Sequence, residues 1–449
     1  MLLSEVIGAR DSEFATMEEE MARETAITPK ELIYANGTMR LYHYLPQTED
    51  VYRVPVLIIM SLVSKPYVFD LAPGQSLVEF LVRAGFDVYL ADWGTPRFEH
   101  RHASFDDYVG RWIPDFIEQI QRFSGEREVS LLGYCLGGVL TTLYAAMEPD
   151  GPLKNLLLLT TPINGEGMEM MRQLALGLDL EQIIDLFGNV PVSVVQAGFQ
   201  IQRPLQKAAG SFTVMNHLQD REFIKSTLRL VRWGEEALPV AGETFRQLHR
   251  DVFIGNKIVS GEFRLRGRAV NLGDIKVPVL HVLATHDHVV PYAAARDVIQ
   301  LVGSSDKEEW TIKGGHVSVV AGLGAVTRTW PRMAAWLAAR SDASARRSCS
   351  AARSSSLMSV TVITRRPSGK GASMIRRMTP PARVSLTVPE DCRRARSSSR
   401  VRQSASSAAA PGMAGRRNSI TSRKEVPRRM RSSPRPNSCR NRSLLVINR

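Results

Sequence analysis

The apolar positions along the chain change period several times, and each change marks an element. MRLYHYLP (39–46) alternates apolar and polar residues, as a half-buried strand does. VPVLIIMSL (54–62) is a continuous β-rich run, the pattern of a strand buried on both faces of a parallel sheet. QSLVEFLVRAG (75–85) has helical spacing and closes on Gly85. FDVYLADWG (86–94) predicts the next strand, and SFDDYVGRWIPDFIEQIQRFSG (104–125) an amphipathic helix opened by Ser104. EVSLLG (128–133) reads as a strand, LGGVLTTLYAAM (136–147) as a helix and KNLLLLTTP (154–162) as a strand. This β-α-β-α order predicts a parallel α/β sheet with right-handed crossovers.

The alternation stops at residue 165. From there to 270 the pattern is mostly helical, interrupted by NVPVSVV (189–195) and EEALPVAG (235–242). Strand patterns return at VPVLHVLATHD (277–287) and WTIKGGH (310–316), and the helix WPRMAAWLAARS (330–341) follows. The expected organisation is a helical, acidic lead-in (1–38), a first part of an α/β core (39–164) and a helical cap insertion (165–270). The second part of the core (271–342) and a tail (343–449) follow. No internal repeat is present.

Charge separates the tail from the rest. The chain carries 58 Lys+Arg and 45 Asp+Glu. From residue 341 onward there are 25 basic residues, 23 of them Arg, and 4 acidic ones, so the first 340 residues sum to −8 and the last 109 to +21. Every Trp, Tyr, Phe and His precedes residue 341. A segment without aromatic rings and with that much net charge cannot bury enough apolar area to offset chain entropy, so 343–449 is expected to be disordered. A basic tail could touch polyanions, but the core is acidic and the tail has no interleaved aromatics, so nucleic acid is not an expected partner. Of four cysteines, Cys135, Cys349, Cys392 and Cys439, only Cys135 lies in the foldable part, which excludes a disulfide framework there and fits a reducing compartment. The N-terminus has no signal-peptide core, and the longest apolar run, VPVLIIMSLV (54–63), is about half the length that spans a bilayer. A cytoplasmic protein is expected.

Chemistry concentrates at EVSLLGYCLGGVL (128–140), where a strand meets a helix through Gly133-Tyr134-Cys135-Leu136-Gly137-Gly138. This is the G-x-S-x-G nucleophile elbow with sulfur in place of the hydroxyl. Such a turn is sharp: Gly133 and Gly137 make room for it, and Gly138 lets the helix approach the strand. The positive helix N-terminus favours a thiolate, and the Leu136 N–H is aimed at a developing oxyanion. A lone apolar-context cysteine is ordinarily a small core residue, and the strand–GxCxGG–helix context is what argues for a nucleophile. A thiol nucleophile needs a base and an orienting carboxylate, in the order nucleophile, acid, histidine for sheets of the α/β-hydrolase kind. Asp287 ends the strand at 277–287, and His316 follows WTIKGG, both at strand C-termini. His288 is expected to support the pair. His286 is a lesser candidate, His281 lies mid-strand, and His43, His100, His102, His217 and His249 have no site context. There is no metal-ligand spacing, P-loop or dinucleotide fingerprint, so no cofactor or metal is expected.

These residues resemble the catalytic subunit of the polyhydroxyalkanoate synthases of class III and class IV, α/β-hydrolase-like proteins that act with a second subunit. The resemblance rests on GYCLGG (133–138), ADWGTP (91–96), SKPYVFDL (64–71), DHVVP (287–291) and GGH (314–316), together with ITPKELIYANGTMRLYHY (27–44) and NKIVSGEFRLRGRAVNLGDIKVPVL (256–280), and covers about residues 1–342. It implies Cys135 as acyl-accepting nucleophile, His316 as base and Asp287 as the acid that helps activate the substrate hydroxyl. It also implies backbone oxyanion donors near Val63 and at Leu136. The cap at 165–270 would cover the site and take part in a homodimer. The substrates implied are a 3-hydroxyacyl-CoA, 3-hydroxybutyryl-CoA above all, and a growing polyester chain at a granule surface, with coenzyme A entering as thioester and leaving as product. Three places depart from the family pattern: Ser64 stands where Asn is usual, Asn164 where Asp is usual, and the cap's W-x-x-D-S reads WGEEALPVAGE (233–243). A dienelactone-hydrolase-like Cys-dependent ester hydrolase is the rival reading of the elbow, though such chains are shorter and lack the long insertion. A non-catalytic granule-associated protein is another.

Overall fold

The computed structural model describes residues 11–177, 179–202, 217, 219–341, 346–348 and 361–363. Eight strands carry the core: β1 (Lys30–Asn36), β2 (Met39–Tyr44), β3 (Val56–Ile59), β4 (Val88–Asp92), β5 (Val129–Tyr134), β6 (Leu153–Leu159), β7 (Val279–Ala284) and β8 (Lys307–Ile312). They lie in the order β8-β7-β6-β5-β3-β4-β2-β1, and the backbone of Thr361–Ile363 adds a short ninth strand beyond β1. From β4 to β8 every pairing is parallel, whereas β2 runs antiparallel to both β4 and β1. The β3, β5, β6 and β7 runs are almost wholly apolar because they are buried on both faces. The parallel α/β sheet read from the pattern is thus present.

The helices follow from caps and breakers. Helix α2 (Leu77–Arg83) starts where the Ser76 hydroxyl accepts the Glu79 amide at 3.0 Å, a cap that contributes about 1 kcal/mol. The helix expected over 104–125 runs from Phe105, after Ser104, to Ser124, with a widened turn at Tyr108–Trp112 before its long regular part, α3 (Ile113–Ser124). Pro114 explains the widening: it has no N–H for the preceding turn. Gly125, at φ +75°, ends α3. Helix α4 (Leu136–Met147) is apolar all round and buried against the sheet.

Two expectations are corrected. Among the described residues of the lead-in, helix is confined to α1 (Asp11–Glu24), since residues 30–36 form β1, held there by antiparallel pairing with β2 rather than by local propensity. Of the tail expected to be disordered, Arg346–Ser348 pair antiparallel with Asp50–Tyr52, and the Arg347 guanidinium lies against the buried Asp87 carboxylate and donates to the Ser124 carbonyl at 2.7 Å. The same buried carboxylate meets the His43 ring at 2.8 Å and accepts the Tyr89 hydroxyl at 3.1 Å, and Arg347 adds a guanidinium to these partners. Apart from these residues and Thr361–Ile363, the segment 343–449, including Cys349, Cys392 and Cys439, lies outside the described residues, as do residues 1–10.

The insertion at 165–270 is helical in most of its described residues: α5 (Glu169–Gly177), α6 (Leu180–Phe187), α7 (Val192–Gln202) and α8 (Arg221–Glu235). Helix α1 packs on α8 through Met17, Met21, Ile224 and Leu228, and the nearly buried Lys225 and Arg229 are ion-paired to Glu24. Among the described residues no helix is long and apolar enough to cross a membrane.

Candidate active site

The register of the parallel strands brings their C-terminal ends together. Ile59 is opposite Gly133, Tyr134 opposite Leu159, Leu159 opposite Val282, and Ala284 opposite Ile312. The segments that leave these ends carry Val63, Cys135, Thr160, Asp287 and His316, so one rim of the sheet gathers residues separated by hundreds of positions.

Cys135 sits between β5 and α4 with φ +55° and ψ −123°, a backbone state that side-chain-bearing residues rarely adopt. It is held by its amide, which donates to the Leu159 carbonyl at 2.9 Å, and by its carbonyl, which accepts the Val139 amide at 3.2 Å. The neighbouring glycines are required by space. A Cβ on Gly133 would lie 2.3 Å from the Thr141 hydroxyl, one on Gly137 2.2 Å from the Ile59 carbonyl oxygen, and one on Gly138 1.9 Å from the Thr161 hydroxyl. The elbow read from GYCLGG is therefore present, with the thiol nearly buried at 7% exposure.

Asp287 and His316 meet as expected. His316 Nδ1 and Asp287 Oδ2 are 2.7 Å apart, and both residues are 6% exposed. The second carboxylate oxygen accepts the amides of Val289 at 2.9 Å and Val290 at 2.7 Å, which fixes the carboxylate plane. With Nδ1 engaged by the carboxylate, Nε2 is the ring atom left for the Cys135 sulfur, whose proximity acts on the imidazole. Burial alone would lower the His316 pKa, but the Asp287 carboxylate and the Cys135 sulfur outweigh it and push it up to about 10. Tyr134, which the pattern did not single out, orients this histidine: the rings lie 5.0 Å apart and the Tyr134 hydroxyl donates to the His316 carbonyl at 3.4 Å. His288, expected to support the pair, is exposed, because the turn after Asp287 presents backbone amides to the carboxylate instead. His286 is also exposed, with Nδ1 on the Thr285 hydroxyl.

The segment between β3 and the turn at Pro66–Phe69 carries Val63 and is held from two sides. The buried Trp93 donates to the Met60 carbonyl at 3.0 Å, and the Leu238 amide donates to the Val63 carbonyl at 2.8 Å. Leu136 is the first residue of α4, so its amide is at the positive end of that helix. Behind the elbow, Thr160 is held at φ +45°, a strained conformation for a β-branched residue, with its amide on the Val282 carbonyl at 2.9 Å. His281 accepts the Thr161 amide at 3.3 Å, and complete burial lowers its pKa to about 3, so it is a neutral structural ring. Among the described residues no group of three or more His, Cys, Asp or Glu side chains could hold a metal ion.

A buried sulfur beside an imidazole that is itself bonded to a fixed carboxylate can form and release acyl thioesters. Residues 9–81 match the family model of the poly-beta-hydroxybutyrate polymerase (PhaC) N-terminus, and residues 68–322 match that of the alpha/beta hydrolase fold. The chain is 33% identical over 320 residues to the poly(3-hydroxyalkanoate) polymerase subunit PhaC of Haloferax mediterranei, covering 70% of this chain and 65% of that protein. It is 32% identical to the subunit of the same name from Allochromatium vinosum, covering 70% and 90%, and 29% identical to that of Thiocystis violacea, covering 71% and 91%. The chain belongs to the poly(3-hydroxyalkanoate) polymerase (PhaC) family, acyltransferase-type enzymes on the α/β-hydrolase fold.

Proposed function

We propose that this chain polymerises a 3-hydroxyacyl-CoA, 3-hydroxybutyryl-CoA above all, into a polyester by transacylation through Cys135. The observation that carries the reading is the buried Cys135–His316–Asp287 chain at the sheet rim. His316, held by Asp287, takes the proton from Cys135. The thiolate attacks the thioester carbonyl, the oxyanion is met by the Val63 and Leu136 amides, and coenzyme A leaves with the proton from His316. The acyl group now sits on sulfur. In the extension step a 3-hydroxyl group gives its proton to His316, oriented by Asp287, and its oxygen attacks an acyl thioester. A new ester forms and a thiolate leaves. Sulfur suits both halves, because thioesters exchange acyl groups at little net free energy and a thiolate is a good leaving group. The apolar cap over the site would keep water from the intermediate.

On this reading no cofactor enters, the chain works as a homodimer with a second synthase subunit of the class III or IV kind, and it acts in the cytoplasm at the surface of its polyester granule. The test is coenzyme A release from 3-hydroxybutyryl-CoA by the full chain and by Cys135→Ala. Release with polyester formation by the first and none by the second is expected; undiminished release by Cys135→Ala would point to another nucleophile.

A further inference from the structure

The loop that carries Val63 is tied to the cap by more than one bond. Trp233 Nε1 donates to the Lys65 carbonyl at 2.8 Å, the Leu238 amide to the Val63 carbonyl at 2.8 Å, and Glu236 receives Lys65 Nζ at 2.9 Å and the Tyr67 hydroxyl at 3.1 Å. Glu236 is in turn held by Arg232 of α8 at 3.1 Å, one helical turn back. The cap segment 233–238 therefore grips residues 63–67 at four points, while Trp93 holds the loop's other end at Met60. Between these anchors the loop has no strand ladder of its own: β3 ends at Ile59 and the next regular turn begins at Pro66. The Ser61 hydroxyl, buried in this stretch, has no hydrogen-bond partner among the described residues. Its backbone is thus set by what grips it.

We propose that Glu236 is a positioning residue for the oxyanion loop, so that the donor at Val63 is in place only while the cap end at 233–238 is seated on Lys65 and Tyr67; this rests on the acyl-transfer reading above. An oxyanion donor has to be about 2.7–3.1 Å from the oxygen it stabilises, a tolerance that an unsupported loop does not meet. The Lys65 and Arg232 contacts hold the Glu236 carboxyl below the usual carboxylate range against the opposing effect of its partial burial, and burial beside Glu236 raises the Tyr67 hydroxyl. The charged form that makes the clasp is therefore the stable one near neutral pH.

Two reactions of Cys135 separate positioning from general damage. Acylation by p-nitrophenyl butyrate needs the oxyanion donors, whereas alkylation by iodoacetamide needs only the reactive thiolate. In the full-length protein Glu236→Ala is expected to slow acylation about tenfold to a hundredfold, less than the loss of a donor outright, while alkylation keeps the wild-type rate. Glu236→Gln, which still accepts from Tyr67 and Lys65, should fall between wild type and Glu236→Ala. Trp233→Phe removes the bond to the Lys65 carbonyl with little change in packing and should produce the same selective loss without touching Glu236; it also carries the test if Glu236→Ala does not fold. Unchanged acylation in these variants overturns the proposal, and so does a parallel fall in acylation and alkylation. A wild type acylated by p-nitrophenyl butyrate but inert toward 3-hydroxybutyryl-CoA counts against the polymerase reading alone, whereas a wild type inert to both overturns both.

Discussion

Gly137→Ala puts the geometry of the elbow under direct strain. The added methyl would lie 2.2 Å from the Ile59 carbonyl oxygen and 2.7 Å from that of Met60. Both obstacles are backbone, so no rotamer change relieves them. Ordinary contact begins at 3.4 Å, and the N-terminus of α4 must move away from the end of β3 by about 1.2 Å. Overpacking of this kind costs about 1–3 kcal/mol of stability. The catalytic cost is larger, because the moving residues flank Cys135 on one side and the Val63 loop on the other. A misplacement of about 1 Å between reacting groups lowers a rate about a hundredfold. The assay pairs urea unfolding with the rate of coenzyme A release from 3-hydroxybutyryl-CoA. Gly234→Ala is the matched control for stability: it lies exposed in α8 with nothing near the new methyl, and should stabilise by about 0.5–1 kcal/mol. A Gly137→Ala protein with wild-type midpoint and rate would refute the close approach of strand and helix on which the elbow depends.

Three further outcomes are expected. Asp287→Asn should slow chain extension about 10³–10⁴-fold while Cys135 still accepts an acyl group detectable by mass spectrometry, and an unchanged polymerisation rate would count against hydroxyl activation by this carboxylate. His316 has its pKa raised to about 10, above the roughly 6.5 of an unfolded imidazole, so its stabilising contribution is complete below that lower value and lost as pH climbs through about 10. The gap in urea midpoint between wild type and His316→Gln should shrink across that window, and a constant gap would contradict the charged pairing. Truncation after Ala343 should leave a folded core, because none of the buried core side chains among the described residues is lost, yet lower its stability by about 1–3 kcal/mol by stripping Arg347 from the buried Asp87. His43, 2.8 Å from the same carboxylate, keeps the truncated form viable, and identical unfolding curves would show the arginine contact to be idle.

The elbow was readable from sequence because its requirements are local: small residues, a strand before and a helix after lie within a dozen positions of Cys135. Asp287 was readable because it follows the apolar run of β7, and His316 because Gly314-Gly315 mark the turn after β8; parallel register does the rest. What pattern could not supply is contact between distant segments. Tyr134 reads as one more β-former, and only the fold places its ring on His316. Glu236 reads as a charge in a polar run, yet it clasps Lys65, 171 positions away. Strand β1 is weak in alternation and exists by pairing with β2, and the Arg347 contact depends on a carboxylate buried far upstream. His288 failed for the opposite reason: proximity to Asp287 in sequence suggested a partnership, but a turn that offers two amides to the carboxylate sends the histidine side chain outward.

The central claim is that one sulfur, Cys135, carries the acyl group. Mass spectrometry of the full chain mixed with 3-hydroxybutyryl-CoA and quenched early tests it most directly. The account requires a 3-hydroxybutyryl adduct on Cys135, coenzyme A in solution, and polyester at longer times. Coenzyme A release with Cys135 unmodified, or with the adduct on another residue, would contradict it.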